Sequence, residues 1–373
     1  MRLLHKIFIY LTLAVLLTGA AYAQNDSEVV PPSIELDTSK TDEVRAALPQ
    51  EAKDVLGELD LKNPQMGDEG LEKIWKTVRE SFFSIFKKAL TSAAKILTII
   101  IICAAASSTL DDGGTKDTVA LCGAIAISAI AISDVNVFFG MGVRTLHTLS
   151  DFSKVLLPLM CTAAASAGAV SSASAKFAAS ALFMDLLLTV GIKVVMPMIS
   201  VYLASVVASA ALGKDTLASV SKFLKWGCTT ALTLLMMAFT TYLGMTGLIS
   251  GKSDEFALKL TKSAIGAMLP VVGGIVSDAA GTIVAGAGIL RNVIGVFGFL
   301  AVAAVCITPF LTLGTHYLVY KGTAALSEAL TDKRMAELID GVGVAFGMVL
   351  ALVGAGGLML FISVISSMRA VSG

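Results

Sequence analysis

Long apolar segments follow one another through most of the chain after residue 90, and they predict membrane-spanning helices. A helix needs roughly 20 apolar residues to cross the hydrocarbon core of a bilayer. The clearest segments cover residues 92–110, 118–134, 155–172, 226–250, 292–319 and 342–367. The pattern therefore predicts an all-α, polytopic membrane protein with about six to eight spans, some of them broken or re-entrant.

The apolar stretch 177–212 is too long to be one plain span. As a single helix it would run about 54 Å, whereas the hydrocarbon core is about 30 Å thick. Lys193 and Pro197 lie near its middle, just after Gly191. Two interpretations fit this pattern: a tight hairpin of two short spans, or one long helix broken at that point. We expect the break to be followed by a turn.

A second irregular region covers residues 264–290. It contains Pro270, the pair Gly273 and Gly274, and a single charge at Asp278. Proline removes a backbone donor and glycine loosens the helix, so a regular lipid-facing helix is disfavoured here. The pattern predicts a bent or re-entrant pair of helices packed inside the protein.

Two stretches between the spans are more polar. Residues 135–153 place Arg144 and His147 among apolar residues, and this mixture predicts a short interfacial helix. Residues 323–340 predict a polar, helix-forming loop that contains Lys333 and Arg334.

The N-terminal residues 1–23 have the pattern of a signal peptide. A positive start is followed by the apolar stretch 7–17 and by Ala21 and Ala23, which fit the small-residue rule for cleavage. Residues 24–67 predict a loosely ordered, acidic segment outside the cytoplasm, with short helices at most, and residues 91–373 predict the multi-pass transmembrane domain. An uncleaved short anchor is the alternative to a signal peptide.

Residues 68–90 predict an amphipathic helix. Apolar residues recur at helical spacing, at Leu71, Ile74, Trp75, Val78, Phe82, Ile85 and Phe86, and charged residues fill the other face. Two interpretations remain open: a helix that lies in the membrane interface, or a helix that packs on another protein.

Composition supports the membrane assignment and narrows the chemistry. Hydrophobic residues make up 55% of the 373 residues, charged residues only 15%, and the mean hydropathy is +0.82. A net charge of zero argues against nucleic acid as a partner. The five cysteines all lie in apolar runs without CxxC spacing, which favours small buried side chains over disulfides or metal ligands.

Few residues carry candidate chemistry. Asp185, Lys193 and Asp278 are charges deep in apolar sequence, where charges are costly and often functional. Each could instead lie at a span end, and Asp185 could pair with Lys193 across the bend. Gly343 and Gly347 form a GxxxG pattern that favours close helix packing. No motif of a hydrolase, a nucleotide-binding loop or a metal site is present, so we expect no enzyme, no cofactor and no metal.

Two sequence blocks carry a resemblance to a known family. One runs from Met268 through Pro270 and Asp278 to Gly295, and the other from Phe152 through Pro158 to the small residues after Ser166. With the signal peptide and the set of spans, these blocks resemble the stage III sporulation protein AE family. The second block is alanine-rich here, and the family supplies no catalytic residues to transfer.

The resemblance implies a component of the channel or feeding-tube complex that links mother cell and forespore. Implied partners are the other stage III sporulation A proteins and stage II sporulation protein Q, with a possible homo-oligomer. The implied location is the mother-cell membrane around the forespore, with an extracytoplasmic N-terminus. The alternative, suggested by the broken helices, is a stand-alone secondary transporter of a small solute.

Overall fold

The computed structural model describes residues 48–57, 66–110, 113–166, 172–212, 215–245, 293–331 and 333–372. Within these ranges the chain is helical and contains no strand. The predicted signal peptide, residues 1–23, and the predicted irregular region 264–290, with Pro270, Gly273, Gly274 and Asp278, lie outside the described residues.

The helices follow one another with short connections where the structure describes them. Their bounds are α1 Gln50–Leu56, α2 Met66–Ser108, α3 Gly113–Ser166, α4 Ser172–Val190, α5 Met196–Leu212, α6 Asp215–Met245, α7 Val293–Glu328 and α8 Lys333–Ser372. A π-helical turn, Gly191–Val195, joins α4 directly to α5.

Among the residues that the structure describes, six helical segments are long and apolar enough to cross a membrane. They are Met66–Ser108, Gly113–Pro158, Ala181–Leu212, Leu217–Tyr242, Gly295–Glu328 and Lys333–Ile365. The prediction of an all-α polytopic protein is confirmed.

The separate interfacial helix predicted for residues 135–153 is wrong. These residues belong to α3, which also contains the predicted span 118–134 and most of the span 155–172. Phe138, Leu146, Leu149 and Phe152 are all buried, so one continuous face of α3 packs inward along this polar stretch. Burial of that apolar face stabilises the helix in the region where its outer face is polar.

Residue 90 is not a helix boundary either. The predicted amphipathic helix 68–90 and the predicted span 92–110 form the single helix α2. Just before it, α1 lies within the segment 24–67 that the sequence predicts to be loosely ordered. Ala52 and Leu56, one turn apart, are fully buried where α1 packs on α7 and α2. The apolar face of α1 thus fixes part of that segment to the bundle.

The hairpin expected within 177–212 is wrong, and the alternative of one interrupted helix describes the structure. The Met196 N–H donates to the Gly191 carbonyl, which is the wider spacing of a π-turn. Pro197 explains the position, because it has no N–H and its ring would clash with the Lys193 carbonyl in a regular helix. The helical turn here contains one more residue than an α-helical turn, and the helix continues in the same direction.

The polar loop expected at 323–340 is much shorter in the structure. Helix α7 continues to Glu328, and the Leu330 and Thr331 N–H groups both donate to the Ser327 carbonyl at 3.0 Å. Helix α8 then begins at Lys333, so most of this stretch belongs to the ends of two helices.

Helix α8 lies at the centre of the bundle. In its most apolar stretch 94% of the residues are buried, against 28% for the corresponding stretch of α2. It packs on α7, α3, α5, α6 and α4, and its pairing with α7 is the most extensive in the fold. A helix that is apolar all round belongs in a core, and α8 fits that rule.

Glycines allow the surrounding helices to approach α8 closely. A Cβ added at Gly356 would lie 3.0 Å from Leu188 of α4 and 3.1 Å from Leu146 of α3. A Cβ at Gly357 would lie 3.0 Å from the Cys306 Sγ of α7. Small residues at helix contacts are how membrane helices gain packing without a hydrophobic driving force.

Contacts between helices fix their directions. Asp117 and Gly142 of α3 lie against Arg334 and Val349 of α8, so these two helices run the same way. Helices α4 and α5 run the opposite way. At one end of the bundle Asp185 binds Lys154 of α3, and further along Val206 of α5 lies against Gly341 near the start of α8.

The end of α6 and the start of α7 lie at the same end of the bundle. Tyr242, near the end of α6, stacks on Phe183 of α4 with 4.3 Å between ring centroids. Gly298, near the start of α7, lies against Leu156 of α3. Both contacts lie at the level of the pair between Asp185 and Lys154.

Candidate functional site

Asp185 joins α4 to α3 through a small polar network. Its Oδ1 accepts a hydrogen bond of 2.6 Å from Ser150 Oγ and lies 2.9 Å from Lys154 Nζ. Lys154 Nζ also lies 3.5 Å from Asp151 Oδ1. The side chains of Lys154 and Asp185 are 50% and 34% exposed, so the network lies at the surface of the bundle. It can fix the position of α4 against α3.

The pairing of Asp185 with Lys193 considered from the sequence is wrong. That pairing needed a chain reversal between the two residues, whereas the helix continues through the π-turn. Eight residues along one helix separate the two side chains by about 12 Å. Asp185 therefore finds its cation on the neighbouring helix α3.

Lys193 and Pro197 lie at the π-turn and both are exposed on the outer side of the bundle. On the inner side of the same turn Gly191 is buried, and a Cβ there would lie 3.0 Å from Leu352 of α8. The π-turn thus packs closely on the central helix while it presents its lysine outward. π-turns are frequent at functional sites, so these residues stay candidates.

A buried cluster between α3, α7 and α8 was missed in the sequence. The Tyr320 hydroxyl donates a hydrogen bond of 2.7 Å to Asp134 Oδ2. His316 packs on Phe138 with ring centroids 4.2 Å apart, and Phe346 of α8 contacts both His316 and Tyr320 edge-on. His316 Nδ1 lies 2.8 Å from a carbonyl oxygen one turn earlier, so Nδ1 carries the hydrogen.

Only a weak signal could have revealed this cluster. Asp134 ends the apolar run 118–134, and Tyr320 precedes Lys321 at the end of another run. Nothing in the sequence links two residues that are 186 positions apart.

Two ion pairs connect the ends of helices near the start of α8. Lys321 Nζ donates to Asp340 Oδ1 at 2.5 Å, which links α7 to α8. Arg334 Nη1 lies 3.6 Å from Asp117 Oδ1, which links α8 to α3. These charges lie at the helix termini, where water can reach them.

The GxxxG pattern of α8 lies in the core. Gly343 and Gly347 are both buried. A Cβ at Gly343 would lie 3.3 Å from the Tyr320 Cβ and 3.6 Å from the Lys321 backbone nitrogen. Gly343 therefore lies at the contact between α8 and α7, beside the tyrosine that binds Asp134.

The contacts found among the described residues hold helices together. Within these ranges no group of three or more His, Cys, Asp or Glu side chains is arranged to hold a metal ion. Four polar pairs connect α3, α7 or α8 to a neighbouring helix, at Asp185, Asp134, Asp340 and Asp117, and the Ser205 and Ser221 hydroxyls, 2.8 Å apart, connect α5 to α6.

We expect Asp185→Ala to destabilise the protein more than Asp185→Asn. Asparagine can still accept the hydrogen bond from Ser150, whereas alanine loses both that bond and the ion pair with Lys154. A part-exposed ion pair contributes at most about 1 kcal/mol, and a hydrogen bond to a charged group about 1.5–3 kcal/mol. Thermal unfolding of the detergent-purified protein measures both effects. Asp151→Asn is the matched control and should change little, since Asp151 is 76% exposed.

Comparison with known proteins gives one family. The family described as stage III sporulation protein AE matches residues 59–370. The chain is also similar to the stage III sporulation protein AE of Bacillus subtilis (strain 168), with 23% identity over 237 residues. That match covers 63% of this chain and 59% of the relative, so it spans less than two thirds of the relative's length. No solved structure matches the chain.

Proposed function

The chain belongs to the stage III sporulation protein AE family, and from that premise we propose that it is a membrane component of the channel complex between mother cell and forespore. Its role there is to support forespore development after engulfment. The observation that carries the proposal is the family match over residues 59–370, which includes nearly all the described helices of the bundle.

The proposal includes a location and partners. The protein lies in the mother-cell membrane that surrounds the forespore, with its N-terminus outside the cytoplasm. It assembles with the other stage III sporulation A proteins and, through them, with stage II sporulation protein Q. The described spans are even in number, which would place α1 and the end of α8 on the same side of the membrane.

The proposed role is structural and not catalytic. A helix bundle that is tightly packed around α8 suits an assembly component, because it presents fixed outer faces to partners. The polar contacts at Asp185 and Asp134 support this role, since each joins two helices of the bundle.

A second candidate function is a stand-alone secondary transporter. The π-turn at Gly191–Val195 is the observation that favours it, because interrupted helices often form substrate sites in transporters. Lys193 at this turn could then bind an anionic group. This candidate predicts saturable solute uptake by the purified protein in liposomes.

Affinity purification from sporulating cells tests the proposed complex. We expect the tagged full-length chain, solubilised in mild detergent, to recover the stage III sporulation A partners. The matched control is a tagged polytopic membrane protein of similar abundance from the same cells, which should not recover them. Recovery of the chain alone, together with solute uptake in liposomes, would favour the transporter.

A further inference from the structure

Helix α2 carries a basic and aromatic face that is exposed among the described residues. At 3.6 residues per turn its members lie within roughly 120° of the helix circumference. This α2 face consists of Trp75, Arg79, Phe83, Phe86, Lys87 and Leu90. All six are exposed, and Phe83 is 75% exposed. From residue 75 to residue 88 no residue of α2 is buried, so this part of the helix has room for a partner along its outer side.

The side chains of the α2 face suit an acidic partner that also carries apolar groups. Phe82 stacks on Phe86 with ring centroids 5.9 Å apart and meets Phe83 edge-on at 6.3 Å, which groups the rings into one apolar surface. Within the described ranges neither Arg79 nor Lys87 makes an ion pair. Opposite charges on a partner would therefore find two cations beside the rings.

The chain before α1 has the complementary composition. Residues 24–47 lie outside the described residues, but their sequence contains two basic and six acidic residues. The acidic residues are Asp26, Glu28, Glu35, Asp37, Asp42 and Glu43. Apolar and acidic side chains alternate over residues 34–37. This segment thus supplies both the negative charge and the apolar groups that the α2 face would bind.

Helix α1 holds the end of this segment close to the α2 face. It packs on α7 and α2, and Glu51 Oε1 lies 3.5 Å from Thr148 Oγ1 of α3. Gly123 of α3 lies against Cys103 of α2, and a short connection makes these helices antiparallel, so Thr148 is level with about residue 78 of α2. The segment therefore begins level with Arg79, and its residues can reach up to about 80 Å from there.

We infer that residues 24–47 bind the α2 face of the same chain. The acidic side chains pair with Arg79 and Lys87, and the apolar side chains pack on Phe83 and Phe86. Attachment through α1 gives the segment an effective concentration of about 1 mM at the face, so it binds ahead of a free partner of equal affinity at lower concentration. Other proteins or lipid then reach this part of α2 only by displacing the segment.

Photo-crosslinking from α2 tests this contact in the full chain. The photoreactive amino acid p-benzoylphenylalanine replaces Phe83 in one variant and Phe223 of α6 in the matched control, since these phenylalanines are 75% and 65% exposed. Both proteins are irradiated in membranes and again after purification in mild detergent. We expect the probe at position 83 to crosslink to residues 24–47 at the mass of a single chain, and the probe at position 223 not to do so. Mass spectrometry identifies the joined peptides.

Charge reversal tests whether the segment recognises the α2 face. Arg79→Glu combined with Lys87→Glu should lower the crosslink yield at position 83 by at least about fivefold, because like charges then face each other. Glu35→Lys combined with Asp37→Lys in the same chain should restore part of the yield. If a charge variant does not fold, salt titration of the chain without charge changes replaces it, and the yield should fall as salt rises.

Two results would overturn the contact. The first is a probe at position 83 that captures only lipid, another protein or a second copy of the chain, and the captured species then identifies the true occupant. The second is a yield that neither charge reversal nor salt changes, which would mean proximity without recognition. Both results leave the proposed sporulation role standing, because spore counts test that role separately.

Discussion

Deletion of this protein is expected to reduce heat-resistant spores to the background level while vegetative growth is unchanged. The family assignment places the chain in sporulation, and the proposed complex acts after engulfment. The described bundle packs around the single helix α8. A complex assembled without this protein should therefore not replace the complete complex. Heat-resistant colony counts and microscopy of engulfed forespores measure the effect, and we expect arrest after engulfment.

The control is the deletion strain that carries the wild-type gene at a second site, which should restore normal spore counts. A strain with Asp151→Asn at that site should also be restored, since this exposed residue contributes little to the fold. Normal spores in the uncomplemented strain would contradict the proposed role.

Gly341→Ala is expected to be among the most damaging single-methyl changes in the protein. The added Cβ would lie 2.5 Å from Val206 Cγ1 and 3.0 Å from Val206 Cγ2. Valine in a helix is held in essentially one rotamer, so it cannot turn away and the helices must move apart. Overpacking of this kind costs typically about 1–3 kcal/mol. Thermal unfolding in detergent and spore counts in the complemented strain both measure the loss.

Gly322→Ala provides the matched control for this change. Gly322 is also a helix-interior glycine, in α7, but nothing lies within 4 Å of its added Cβ. Alanine there should be neutral or stabilise by up to about 1 kcal/mol through helix propensity. Val206→Ala combined with Gly341→Ala should recover part of the loss, and strictly additive effects would contradict the contact.

Apolar run length predicted which parts of the chain form membrane helices, but not where the helices end. In α3, residues 135–153 look polar enough to be a separate surface helix. The structure continues the helix because Phe138, Leu146, Leu149 and Phe152 keep an inward face that packs on other helices. The sequence contains this periodicity, whereas the neighbours that make it sufficient come from α7 and α8.

In the candidate site, the sequence likewise predicted only part of what the structure shows. Asp185 was recognisable as a charge in apolar sequence, but its partner depended on whether the chain reversed near Pro197. The pair between Asp134 and Tyr320 joins two distant helices, and local patterns hold no information about such pairs. Charges could therefore be found from the sequence, whereas their partners required the packing of the bundle.

The position of α8 has a consequence for how the protein is made. The ribosome synthesises α8 after every other described helix, yet α8 is the element around which α3, α4, α5, α6 and α7 pack. During insertion the earlier helices must therefore leave the translocon without their common packing partner. They can associate only loosely until residues 341–365 enter the bilayer, and the final bundle closes around the helix that arrives last. A chain that terminates before residue 333 thus lacks the central helix of the bundle, and not a peripheral one.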